Sequence, residues 1–272
     1  MARRALALFV VAAMAWAGWA QSVANLTAEA EALFPVRYEL RNLERLIAIY
    51  EALLVEESES ASVLARLAQL WYERSTLLPE NVREAALRKA ADYGFRSLGL
   101  AGLDEGFRLS EDGLRALVAQ ATDPATLLWT AHSLGLVLGR MNPLSAIPHR
   151  NKVRIMYDRV IELDPGYWGG SAPQAVGALL ANLSEWWWVP GIGTDLSQAK
   201  PYFEWALDLD PTYLENHLAY AWEYARRAKD RVLFEDLLHY ILAAPIGNWP
   251  FWNRHAKEKA AEYLTEVDRL FR

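Results

Sequence analysis

The sequence predicts an all-α protein, a solenoid or bundle of about a dozen helices paired as tetratricopeptide-like helical hairpins. Three observations predict it. Apolar residues recur at spacings of three and four along nearly the whole chain, the period of an amphipathic helix. No stretch alternates β-branched and polar residues between turn signals, as a half-buried strand would. And an eleven-residue segment recurs 46 residues further on, a period that belongs to stacked supersecondary units.

The chain opens on an export signal, residues 1–20. Arg3 and Arg4 supply a short basic start, and Ala5 to Ala17 form an uncharged apolar run. Gly18 and Ala20 are the small residues that precede a cleavage site. The run is shorter than the roughly 20 apolar residues that span a bilayer. Cleavage near Ala20 and release of a soluble exported chain, periplasmic or secreted, is the expectation. Residues 21–35 then form an N-terminal segment, and 36–272 a single all-helical domain.

Each helix has its own pattern. Over 37–55, Leu40, Leu43, Leu46, Ile47, Tyr50, Leu53 and Leu54 make one apolar stripe. A polar break at Ser58–Ser62 precedes a second helix that Pro79 ends. A third runs to about Leu100, where Gly99, Gly102 and Gly106 punctuate a loop. Ser110 opens a short helix to about Ala121. Asp123-Pro124 is a start signal, with Asp at the N-cap and Pro at the first helical position. Pro143 and Pro148 bracket a further loop, after which a helix covers about 150–163 and stops at Asp164-Pro165. Gly169 and Gly170 mark a turn before a helix over about 173–188. Beyond the Pro190–Gly193 loop, helices are expected near 197–209, 211–228, 230–243 and 251–271.

The repeat joins Tyr157–Tyr167, YDRVIELDPGY, to Phe203–Tyr213, FEWALDLDPTY. In the second copy Ala199, Phe203, Ala206 and Pro211 follow the small–aromatic–small–Pro spacing of helix B in a tetratricopeptide repeat. Small residues let two helices approach, the aromatic fills the gap, and Asp-Pro stops one helix and starts the next. Leu218, Ala219 and Trp222 fit the large–small–aromatic face of the following helix A, and Gly177 the small position of the preceding one. Gly177 and Ala199 are further apart than in a regular repeat, so an insertion near Trp186–Ser197 should project from the stack.

Composition excludes several functions. The chain has 272 residues, 53% hydrophobic, with a net charge of −6 and no long Lys/Arg run, which disfavours nucleic acid. With no cysteine it can form no disulfide, thiol nucleophile, thiolate metal site or lipidated N-terminal cysteine. His132, His149, His217, His239 and His255 show no metal-ligand spacing and read as structural or surface residues. The Gly191-Ile192-Gly193 loop lacks the lysine and third glycine of a phosphate loop. No catalytic motif stands out, so a non-enzymatic protein without a cofactor is expected.

Tryptophan is the anomaly, with 12 in the chain. Consecutive helical residues differ by about 100°, so Trp186, Trp187 and Trp188 cannot all face one core. They pack in the core, line a ligand cavity or meet another protein. The candidate binding residues are Trp168, Gly169, Gly170, Trp186, Trp187, Trp188, Gly191, Gly193 and Trp222. Bulky aromatics beside Gly-rich loops suit an apolar or amphipathic small molecule.

The segments DPGYWGGSAPQAVGALLANL, TDLSQAKPYFEWALDLDP, YAWEYARRAKDRVLFEDLLHYILAAP and FWNRHAKEKAAEYLTEVDRLF together resemble the T component of tripartite ATP-independent periplasmic (TRAP) transporters, the TatT family. The resemblance covers about residues 36–272. It implies a tetratricopeptide-like helical bundle, often oligomeric, that partners the transporter's periplasmic substrate-binding protein. Family members are often lipid-anchored, and this chain departs from them in having no lipobox cysteine. A general exported scaffold for protein–protein interaction in the cell envelope is the alternative expectation.

Overall fold

A computed structural model describes residues 23–56, 60–186, 191 and 193–272, and every regular element among them is helical. Helix α1 covers 23–33. It is followed by α2 (Leu40–Glu56), α3 (Ala61–Leu77), α4 (Glu80–Ser97), α5 (Leu103–Arg108), α6 (Glu111–Gln120) and α7 (Pro124–Arg140). Then come α8 (Pro143–Ala146), α9 (Arg150–Leu163), α10 (Tyr167–Leu183), α11 (Lys200–Leu209), α12 (Leu214–Ala219), α13 (Arg231–Ala243) and α14 (Pro250–Leu270). A π-helical segment, Tyr220–Ala225, continues α12. The expected export signal, residues 1–20, and Trp187 and Trp188 lie outside the described residues.

The start signals act as their chemistry requires. Ser110 Oγ accepts from Gly113 N at the head of α6, and Asp123 Oδ1 accepts from Ala125 N at the head of α7. Pro124 occupies the first turn of α7, where its missing N–H is not needed. Pro201 sits likewise in the first turn of α11. The helix expected over 173–188 ends earlier. α10 stops at Leu183, and Ser184–Trp186 tightens into a 3₁₀ turn in which Ser184 Oγ donates to Ala181 O at 2.7 Å.

The longer helices pack in chain order: α2 on α3, α3 on α4, α4 on α7, α7 on α9, α9 on α10 and α10 on α11. The buried side chains form two clusters. The larger runs from α1 to α10 and takes in Phe251 and Trp252 of α14; the smaller joins α10 to α11–α14. The α10–α11 contact has the interlock read from the sequence. Ala199, Phe203 and Ala206 are all fully buried, and a Cβ added at Gly177 would meet the Phe203 ring at 3.1 Å. Two polar clamps hold α14 in place, one against the chain's beginning and one against the start of α12. Arg37, just before α2, makes a buried two-point ion pair with Glu73 of α3, and its guanidinium lies 5.4 Å from the centre of the Phe251 ring. Asn253 accepts from Leu214 N and donates to Thr212 O and Ile246 O, fixing α14 against the start of α12.

Candidate functional site

A cleft of ≈ 650 Å³ opens between α7 and α9 on one side and α10, α12 and α14 on the other. That volume falls within the roughly 300–1,000 Å³ of small-molecule sites. Its walls follow from helix periodicity. On α9, Arg150, Val153 and Tyr157 are spaced three and four and line it together; on α7 Trp129, His132 and Leu136 do the same. On the α12 side Glu215, Leu218, Ala219 and Trp222 present the face predicted for a helix A. Tyr72 of α3 and Trp252 of α14 close the inner end, and Trp186 stands on the wall beyond α10.

The inner end is a continuous aromatic cage. Tyr72 stacks on His132 at 5.4 Å and lies 5.9 Å from Trp129 and 5.8 Å from Trp252. His132 Nδ1 and the Tyr157 hydroxyl are 2.7 Å apart. Burial pulls His132 down to about 3, so its ring stays neutral. Burial also pushes Tyr157 well up, with the neighbouring Tyr72 hydroxyl adding to the rise. Tyr72 itself is raised by burial and by the charges of Glu215 and Glu73. Glu215 pairs with His255 at 2.6 Å. Burial draws His255 down, but the charge and hydrogen bond of Glu215 outweigh it and leave the group raised.

The outer rim is held by charge. Arg227 donates to Glu185 at 2.8 Å, to Glu223 at 2.6 Å and to Asn182 at 2.7 Å, tying the end of α10 to the π segment. Trp222, on that segment, stacks flat on Tyr263 at 4.0 Å, with Arg226 4.5 Å from its ring centre. A π turn widens a helix by one residue and re-aims its side chains, and such turns recur at functional sites. Arg150, at the opposite rim, donates to the carbonyls of Ile147 and Gly191.

Of the residues singled out from the sequence, Trp186 and Trp222 line the cleft. Trp168, Gly169 and Gly170 lie one layer behind its wall. All three have positive φ, at 50°, 67° and 79°. Trp168 meets Trp129 edge-on at 5.0 Å and Trp249 at 5.3 Å. A Cβ at Gly169 would strike Tyr213 at 2.8 Å, so the glycine here serves close packing. Gly191 and Gly193 are exposed on the returning loop, which Thr194 pins by donating from Oγ1 to Leu180 O. Trp187 and Trp188 lie outside the described residues.

Sequence reasoning missed Tyr72, Trp129, His132, Tyr157, Glu215 and Trp252. They come from five helices spread over some two-thirds of the chain. The one local signal was spacing: Trp129 with His132, and Arg150 with Val153 and Tyr157, each mark one side of a helix.

Residues 43–271 match the family described as TAtT: TRAP transporter T-component. No curated protein matches the chain.

Proposed function

This chain belongs to the TRAP transporter T-component family, and from that premise we propose that it is a non-enzymatic periplasmic accessory protein that docks the transporter's substrate-binding protein and holds an apolar or amphipathic small molecule in the α7–α14 cleft. The observation that carries the reading is the cleft wall: Leu136, Trp186 and Trp222 present apolar surface, backed by the buried Trp129, Val153 and Trp252, beside a few fixed polar groups. An apolar concavity of this size is a place for a partner or ligand to exclude water. No helix among the described residues is long and apolar enough to cross a membrane.

Two measurements test the reading. The mature protein should raise and blue-shift the emission of 1-aminoanthracene, a neutral aromatic probe, and Trp222→Ala should weaken that binding while the helical circular dichroism signal persists. It should also co-purify with the substrate-binding protein of its TRAP transporter. Repeated failure of both, with and without candidate substrates, would remove the reading.

A further inference from the structure

We infer that the inner end of the cleft is a hydrogen-bonding subsite in which His132 donates from Nε2 to an uncharged oxygen, so that the ligand is an apolar molecule bearing a keto, ester or hydroxyl group. The inference rests on the reading that the cleft holds an apolar molecule, and it adds the chemistry that would select one.

The tautomer of His132 follows from its neighbour. Tyr157 is 4% exposed, and among the described residues its hydroxyl has no partner but His132 Nδ1. If Nδ1 carried the ring proton, the hydroxyl hydrogen would be buried without an acceptor. Tyr157 therefore donates to Nδ1, and the neutral ring carries its one hydrogen on Nε2. That nitrogen has no hydrogen-bond partner among the described residues, while His132 retains accessible surface and lines the cleft. Stacking on Tyr72 and an edge contact with Trp129 at 5.6 Å fix the plane of the ring. The donor is thus pre-positioned, and a ligand that shuts water out of the inner end without supplying an acceptor would leave it unpaired, a cost that a ligand oxygen avoids. Trp252, on the same cage, also has an Nε1–H with no partner.

Charge decides which acceptor fits. Arg150 is the one lysine or arginine in the cleft lining among the described residues. It precedes Tyr157 by two turns of α9, about 10 Å away along the helix axis. At the inner end stands the Glu215 carboxylate, and its hydrogen-bond partner, His255, is already bound to it. A carboxylate or phosphate placed against His132 would meet one negative charge and no free positive one. A carbonyl or hydroxyl oxygen meets neutral donors only, with no charge to desolvate.

The test is displacement of 1-aminoanthracene at neutral pH by three probes of matched length: heptan-2-one, heptane and heptanoate. Wild-type protein should prefer the ketone to the alkane, and the ketone-to-alkane affinity ratio should fall about fivefold to tenfold in His132→Phe, which keeps the stacked ring and removes the donor. Tyr157→Phe, which frees the tautomer but leaves the imidazole, should lower the ratio by about two- to threefold and decides the matter if His132→Phe fails to fold. Heptanoate should bind more weakly than the ketone. A ratio unchanged in the folded variants, or heptanoate binding more tightly than the ketone with that preference lost in Arg150→Ala, overturns the inference while the ligand-binding reading stands. Absence of aminoanthracene binding altogether sinks that reading and this inference with it.

Discussion

The two copies of the repeated segment share a backbone and differ in what they do with it. In each, an aspartate closes a helix and its carboxylate accepts from the residue two ahead: Asp164 from Gly166 N at 2.9 Å, Asp210 from Thr212 N at 2.8 Å. Each then delivers a tyrosine to the next element. After Tyr167 the chain makes a left-handed turn through Trp168, Gly169 and Gly170; after Tyr213 it enters α12 directly. The second copy is built to recognise the first. Tyr213 packs on Gly169, and Asn216 Nδ2 donates to Gly169 O at 2.7 Å and to Ala206 O at 3.0 Å. At the aromatic position the copies part again. Phe203 is sealed between Gly177 and Tyr220, its ring stacked on the latter at 5.3 Å. Tyr157 carries a hydroxyl and turns it to His132 at the cleft. One repeat position thus serves cohesion in one copy and the site in the other, and a single oxygen atom separates the two roles.

That contrast can be broken most forcefully at the aromatic pair. Phe203→Ala should cost about 3–5 kcal/mol in urea unfolding, because it empties a fully buried site. Tyr157→Phe should cost about 1 kcal/mol, since only one hydrogen bond is lost. Equal costs would mean that both copies are core alone. Next in size is Gly169→Ala, which adds a Cβ at φ 67° against Tyr213 and should destabilise by about 1–3 kcal/mol. Glu215→Ala, at the corresponding place in the second copy, meets no such backbone restriction. It frees His255, so its effect should depend on pH.

The aspartates sharpen the comparison on a finer scale. Asp164→Ala should cost about 1 kcal/mol as a lost cap. Asp210→Ala should cost about twice that, because Asp210 also accepts from Trp249 Nε1 at 2.9 Å. A further effect is a slope. The folded state holds His132 at about 3 against an ordinary 6.5, so below about pH 6.5 the unfolded chain binds a proton that the folded chain refuses. Its contribution to stability is intact above pH 6.5 and declines as the pH falls toward 3. His255, raised by Glu215, acts in the opposite sense, with stability present in acid and lost as pH rises through its folded value. Unfolding measured at pH 7 and pH 5 should show the acid decline reduced in His132→Phe, with a Tyr157→Phe profile between that of the variant and wild type.

The sequence by itself determined the helical class, the punctuation and the repeat. Those are local matters: the three-and-four spacing of Leu40 to Leu54, the Ser110 and Asp123 caps and the Asp-Pro stops act within a turn or two of the chain. It also determined the Gly177–Phe203 interlock, because small and aromatic residues at fixed offsets leave only one close packing. Only the tertiary structure decided the site. Tyr72, Trp129, His132, Tyr157, Glu215 and Trp252 look like ordinary core or surface residues one at a time, and the fold gathers them from five helices. It decided, too, that Trp168 lies behind the wall while Trp186 and Trp222 stand on it. The physical reason is that a side chain's period fixes which face of its own helix it occupies, whereas what that face meets depends on how helices far apart in the chain cross.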